Sequence, residues 1–168
     1  MNDRVRITMR VEVVQALAFS VFTEQLDGWW RRGKRYRLSD DSVMTLSPGV
    51  GGKLTESFVH RGKARVFEIG VVRVWDPPRQ LLIEWRPVNF KERDPSTEVE
   101  VSFERAIGHS GEHTLVTLEH RGWSRIRTDH PVRHGQSDSE FLASLGRWWG
   151  DLAATLRNRA EPRVPNSE

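Results

Sequence analysis

From Gly51 to Trp123 this chain repeats one pattern, apolar residues at alternate positions with charged or polar residues between, and then abandons it for an apolar-faced helix. Val99, Val101 and Phe103 alternate with Glu98, Glu100 and Ser102; Val116, Leu118 and His120 alternate with Thr117 and Glu119. Period two means that one face of a pleated strand is buried while the other meets water. Punctuation falls where strands must reverse, at Gly51-Gly52, Asp76-Pro77-Pro78-Arg79, Gly108 to Gly111 and Arg121-Gly122-Trp123. Neither proline of the second turn can donate to a sheet ladder, so pairing stops there.

The period changes after Gln136. Between Ser139 and Arg159, Phe141, Leu145, Trp148, Trp149, Leu152 and Leu156 recur at three- and four-residue spacing, the mark of a helix with a wide buried face. Ser137 or Asp138 suits its N-cap, and Glu140 places negative charge near the positive end of the helix dipole. Such a helix is about 30 Å long. A sheet with one apolar face and one long helix to cover it must wrap around that helix.

Upstream, Val5, Ile7, Met9 and Val11 alternate with charged residues as a half-buried strand. Val14 to Thr23 reads as a helix with Leu17, Ala18, Val21 and Phe22 on one face, and Leu26 with Trp29-Trp30 as a second short helix whose indoles cap the core. Arg31 to Asp41 is expected to be a mobile polar loop. Val43–Leu46 and Lys53–Val59 form a hairpin, and Val66 to Trp75 is the longest strand, with Gly70 marking a bulge or a close backbone approach. Ser124 to Gln136 is irregular and basic. The expected fold is α+β: about seven antiparallel strands in a curved sheet wrapped around a long C-terminal helix, with two short helices after strand 1. One domain spans residues 1–160, and Pro162 and Pro165 mark residues 161–168 as a flexible tail.

Composition removes several kinds of function. The 168 residues include no cysteine, so disulfides and thiolate metal sites are excluded. His109 with His113, and His130 with His134, have a spacing that suits metal on a helix, but Gly111 and Pro131 interrupt them and a third ligand is missing. No metal, cofactor or catalytic residue is assigned. Ser110 and Ser124 lack a nucleophile-elbow context, and glycines 49, 51 and 52 form no dinucleotide fingerprint. Net charge is +3, from 26 basic and 23 acidic residues, and the only dense positive run is Arg31-Arg32-Gly33-Lys34-Arg35-Tyr36-Arg37. It lies in a loop without a nucleic-acid-reading motif, so nucleic acid is not the expected partner. The first ten residues lack the roughly 7–15-residue apolar core of a signal peptide. No apolar run approaches the roughly 20 residues of a membrane span. A soluble, cytoplasmic protein is expected.

Several short pieces in order carry a family resemblance. They are Phe22-Thr23 leading to Trp29-Trp30; Gly51-Gly52 with Glu56; Gly70-Val71-Val72; and Asp76-Pro77-Pro78-Arg79 followed by Trp85. Thr97-Glu98-Val99-Glu100-Val101-Ser102-Phe103 and Leu118-Glu119-His120-Arg121-Gly122-Trp123 complete them. Over residues 4 to 157 the chain resembles the SRPBCC superfamily, the START-like and birch-pollen-allergen-like helix-grip domains. Within it, the chain is most similar to bacterial homologues of the C-terminal domain of the heat-shock protein 90 ATPase activator. The resemblance implies a helix-grip fold with a largely apolar pocket for a lipid-, polyketide-like or aromatic molecule. The activator's separate N-terminal domain has no counterpart here.

The expected pocket lies between sheet and helix. Ile83, Trp85, Val99, Val101, Phe103, Val116 and Leu118 line it from the sheet, Leu145, Trp149 and Leu152 from the helix, and Trp30 from the short-helix segment. Of the adjacent Trp148 and Trp149, one closes the pocket floor. Glu56, sharing a face with Leu54 and Phe58, and His120, continuing the face of Val116 and Leu118, are the polar residues to orient a ligand or form an acid–base pair. In purely structural roles, Glu56 would meet an arginine and His120 a loop backbone. The leading function is binding a small apolar ligand. The alternatives are a cyclase- or hydratase-type enzyme, and a chaperone-associated interaction domain using Arg31–Arg37 and the loop from Arg125 to His134. Edge strands and exposed tryptophans also leave a homodimer open.

Overall fold

The computed structural model describes residues 3–162. Seven antiparallel strands form one sheet: β1 (Arg4–Val11), β2 (Val43–Leu46), β3 (Lys53–His60), β4 (Lys63–Asp76), β5 (Gln80–Trp85), β6 (Thr97–Gly108) and β7 (Gly111–Arg121). Their spatial order is β1-β7-β6-β5-β4-β3-β2, and the sheet curls into a half-barrel. Helices α1 (Gln15–Glu24) and α2 (Leu26–Trp29) follow β1, and the long helix α3 (Asp138–Ala160) lies in the concavity. At 23 residues α3 is about 34 Å long. Residues 163–168, most of the expected tail, lie outside the described residues. Among the described residues no helix is long and apolar enough to cross a membrane.

Alternation decides which face of each strand turns inward. In β6, Val99, Val101 and Phe103 are buried, while outward Glu98 and Glu100, with Glu119 of β7, surround Arg121. The Glu100 contact, with help from Glu119 and Glu98, raises the Arg121 pKa, so this clamp stays charged. Gly70 shows both features expected of it. Ile69 is the extra residue of a bulge, since Leu54 pairs with Gly70 and Thr55 with Glu68. A Cβ at Gly70 would lie 2.5 Å from the Glu84 carbonyl oxygen and 2.5 Å from Ile83 Cγ2.

The long helix begins with a capping box: Ser137 Oγ accepts from the Glu140 N–H, and Glu140 Oε2 accepts from the Ser137 N–H at 2.9 Å. Phe141, Trp149, Leu152 and Leu156 are buried along its inner side. In α1 the buried side consists of Ala18, Phe19, Val21, Phe22 and Thr23, whereas Leu17 is 43 % exposed. The inward face is thus rotated from the one expected, because Phe19 packs edge-on against both Phe103 and Trp75.

The segment after α2 is not a loosely held polar loop. Arg37 is 3 % exposed, and all five of its N–H groups find acceptors. Nε donates to the Arg31 carbonyl at 3.1 Å; Nη1 donates to Asp27 Oδ1 at 2.6 Å and the Ser42 carbonyl at 2.7 Å. Nη2 donates to the carbonyls of Asp27 at 3.0 Å and Trp30 at 2.6 Å. Burial pushes the Asp27 carboxyl up, but the Met44 N–H and the Arg37 guanidinium outweigh it and bring its pKa below the usual carboxylate value. Arg133 does the same for the second irregular segment, donating to the carbonyls of Arg127, Trp123 and Ile126 and to Asp138 Oδ1. Two buried arginines therefore shape the two loops that flank one end of α3.

Candidate functional site

The space between α3 and the sheet is nearly filled. Its cavity, walled by Ile7, Met9, Val116, Leu118, Trp149 and Leu152 among others, holds about 20 Å³. That volume admits about one water, and apolar walls give a water no partners. Among the described residues the expected roomy interior pocket is therefore absent, and the indoles are the reason. Trp149 sits with Trp30 at 5.9 Å between ring centres and with Trp85 at 5.5 Å, and Trp30 lies 6.3 Å from Trp85. Ile83, Val99, Val101 and Phe103 are closed core. Phe58, paired with Arg65 near the β3–β4 turn, is half-buried away from this space.

An open cleft of about 420 Å³ lies at the N-terminal end of α3. Its aromatic walls are Trp85 at the end of β5, Trp123 after β7, and Phe141 and Trp148 on α3; Leu145, Val132 and Pro87 complete the apolar surface. His120 contributes to the floor, Gln136, His134 and Ser144 form one polar side, and Lys34 and Arg35 stand at the rim. Of the residues expected around a pocket, the cleft gathers Trp85, His120 and Leu145. The enclosed void gathers Val116, Leu118, Trp149 and Leu152. Trp149 is the indole turned inward, and Trp148 the half-buried one that faces the cleft.

The Arg31–Arg37 segment forms a strap along this cleft. Trp148 Nε1 donates to the Arg35 carbonyl at 2.9 Å, the Tyr36 ring stacks on Trp148 at 6.1 Å, and the Tyr36 hydroxyl donates to Asp151 Oδ2 at 2.8 Å. The opposite wall belongs to the 123–136 segment, where Arg133 lies 5.4 Å from the Phe141 ring centre. Beneath that segment His130 Nε2 meets Asp94 Oδ2 at 3.0 Å, and His130 Nδ1 accepts the Val132 N–H at 3.1 Å. Trp123 Nε1 is buried in the cleft wall without a hydrogen-bond partner.

His120 is 1 % exposed and its hydrogen bonds set its tautomer. The Thr97 hydroxyl donates to the Trp85 carbonyl at 3.2 Å, so toward His120 Nε2, 2.8 Å away, it acts as acceptor. Trp149 Nε1 donates to His120 Nδ1 at 3.1 Å. The ring is therefore the neutral Nε2–H form with both nitrogens occupied, and burial drives its pKa down to about 3. A loop backbone is not its partner.

Glu56 has a different task. Its Oε1 accepts the Leu38 N–H at 2.6 Å, fastening the strap's far end to β3, so a backbone amide takes the place of the expected arginine. With Glu56 bonded to the Leu38 amide and His120 to Thr97 and Trp149, the two share no hydrogen bond and form no acid–base pair. Among the described residues, no three His, Asp or Glu side chains gather as a metal site.

No protein-family model and no curated protein matches the chain. Solved structures do resemble it. A protein of unknown function from Staphylococcus aureus shares 15% identity over 95% of this chain and 94% of its own, with a TM-score of 0.58. A protein from Chromobacterium violaceum shares 14% identity over 96% and 100%, also at 0.58. The anthrahydroquino-γ-pyrone synthase Txn09 shares 25% identity over 94% of this chain and 97% of its own, with a TM-score of 0.55. These likenesses agree with the helix-grip architecture described above.

Proposed function

We propose that this protein binds a planar aromatic, polyketide-like small molecule in the open cleft at the N-terminal end of α3, not inside the half-barrel. The cleft itself carries the proposal. Its volume of about 420 Å³ falls within the roughly 300–1,000 Å³ of small-molecule sites, and four aromatic side chains line it. The interior void is too small for any aromatic ring. Similarity to Txn09, an enzyme named for a fused aromatic ring system, supports the same ligand class. So does the resemblance to the SRPBCC superfamily and its heat-shock protein 90 activator branch.

That similarity also favours a second reading, ring-closing chemistry on such a molecule. In that case the cleft would act by holding the substrate in a folded, water-poor arrangement, since both His120 nitrogens are taken and Glu56 serves the strap. A chaperone-contact role draws less support, because Arg37 of its proposed surface is consumed internally.

The test is quenching of tryptophan fluorescence by 1,8-dihydroxyanthraquinone. Saturable quenching is expected, and Trp148→Ala should weaken binding about five- to thirtyfold, the value of roughly 1–2 kcal/mol of aromatic contact. Leu156→Met, in the core beside the interior void and not in the cleft, should leave the affinity unchanged. Quenching that does not saturate, or that ignores Trp148→Ala, would refute the cleft assignment.

A further inference from the structure

Resting on the aromatic-binding reading of the cleft, we infer that its ligand carries an anionic group, of the carboxylate kind, held at the rim by Lys34 and Arg35. Two basic residues line this aromatic cleft with no acidic residue beside them in its walls. Among the described residues Lys34 makes no ion pair, and no aspartate or glutamate lines the cleft. Arg35 comes only within 3.9 Å of Asp151 Oδ2, an oxygen that already accepts the Tyr36 hydroxyl at 2.8 Å.

These cations are also placed, not merely present. Trp148 Nε1 holds the Arg35 carbonyl at 2.9 Å, so the strap's basic residues are fastened to the same indole that forms the aromatic wall. A flat ring lying against Trp148 therefore shares the cleft with Lys34 and Arg35. The polar side of the cleft has the same bias toward donors. Ser144 Oγ already accepts from Gln136 Nε2 at 3.2 Å and from Arg147 Nη2 at 3.1 Å, so what it has left to offer is a proton. Anchored cations, spare donors and missing carboxylates together select an acceptor-rich, negatively charged edge. Exposed charges of this kind contribute modestly and are weakened by salt.

The experiment compares anthraquinone-2-carboxylate with its neutral carboxamide, by fluorescence quenching at low salt, on three proteins. In the unaltered protein the carboxylate should bind roughly five- to tenfold more tightly than the amide. In Lys34→Gln/Arg35→Gln that ratio should fall to near one. Lys63→Gln, at the start of β4, should keep it. Equal affinity for both probes in the unaltered protein would overturn the anion inference while leaving aromatic binding intact. A preference that survives Lys34→Gln/Arg35→Gln would overturn its assignment to the rim. Failure of both probes to bind would overturn this inference together with the aromatic-binding reading beneath it.

Discussion

Replacing His120 with glutamine should make the protein less stable at neutral pH and nearly as stable as the parent at pH 5. The imidazole is buried against Thr97, Trp85, Trp123 and Trp149, none of which carries charge. Burial lowers its pKa from 6.5 to about 3. In the unfolded chain the same group takes up a proton near 6.5. Between those values the unfolded state holds more protons than the native state, so stability is lost as pH falls from about 6.5 toward 3. From pH 7.5 to pH 5 the loss amounts to about 2 kcal/mol. Glutamine has no such term, but it disturbs the bonds to Thr97 and Trp149, at a cost of about 1–2 kcal/mol. Urea unfolding followed by tryptophan fluorescence at pH 7.5, 6.5, 5.5 and 5.0 reads both quantities. The stability gap should shrink steadily and come close to zero at pH 5. A gap constant to within about 0.5 kcal/mol over that range would refute the assignment of a buried, neutral, fully bonded histidine.

Two further substitutions probe the framework around the cleft. Arg37→Met takes the guanidinium from five buried or half-buried acceptors, of which only Asp27 Oδ1 and the Ser42 carbonyl keep another donor, and should cost about 3–5 kcal/mol in urea unfolding; a loss under about 1 kcal/mol would contradict the clamp. Gly70→Ala sets a methyl 2.5 Å from the Glu84 carbonyl oxygen and should destabilise by about 1–3 kcal/mol. Gly150→Ala in α3 meets nothing within 4 Å and should stabilise by about 0.5–1 kcal/mol, so opposite signs are expected from the same chemical change.

What could be read from the residue order followed from which face of an element is wet. Thr97 to Phe103 alternates because one side meets Arg121 and water while the other meets the core, and α3 repeats at helical spacing for the same reason. Arg37 and Arg133 stayed hidden because their partners are mostly backbone carbonyls of irregular segments, which leave no side-chain pattern. Glu56 shares the strand face of Leu54 and is buried, but its partner is the Leu38 amide, and nothing about Leu38 announces that. The interior volume was equally illegible. Seeing large residues at Trp30, Trp85 and Trp149 does not tell whether their rings interleave, and here they do. Trp123, Phe141, Trp148 and the two rim cations come from separate segments that only the folded loops bring together. The signal that hinted at them was the clustering of tryptophans near both loops.

The central claim is that an aromatic guest sits outside the half-barrel, against Trp148. A crystal structure of the protein with anthraquinone-2-carboxylate tests it most directly. The account predicts the ring lying along Trp148, within reach of Phe141 and Trp123, with its carboxylate turned to Lys34 and Arg35. Ring density between α3 and β1, among Ile7, Met9 and Leu152, would contradict it.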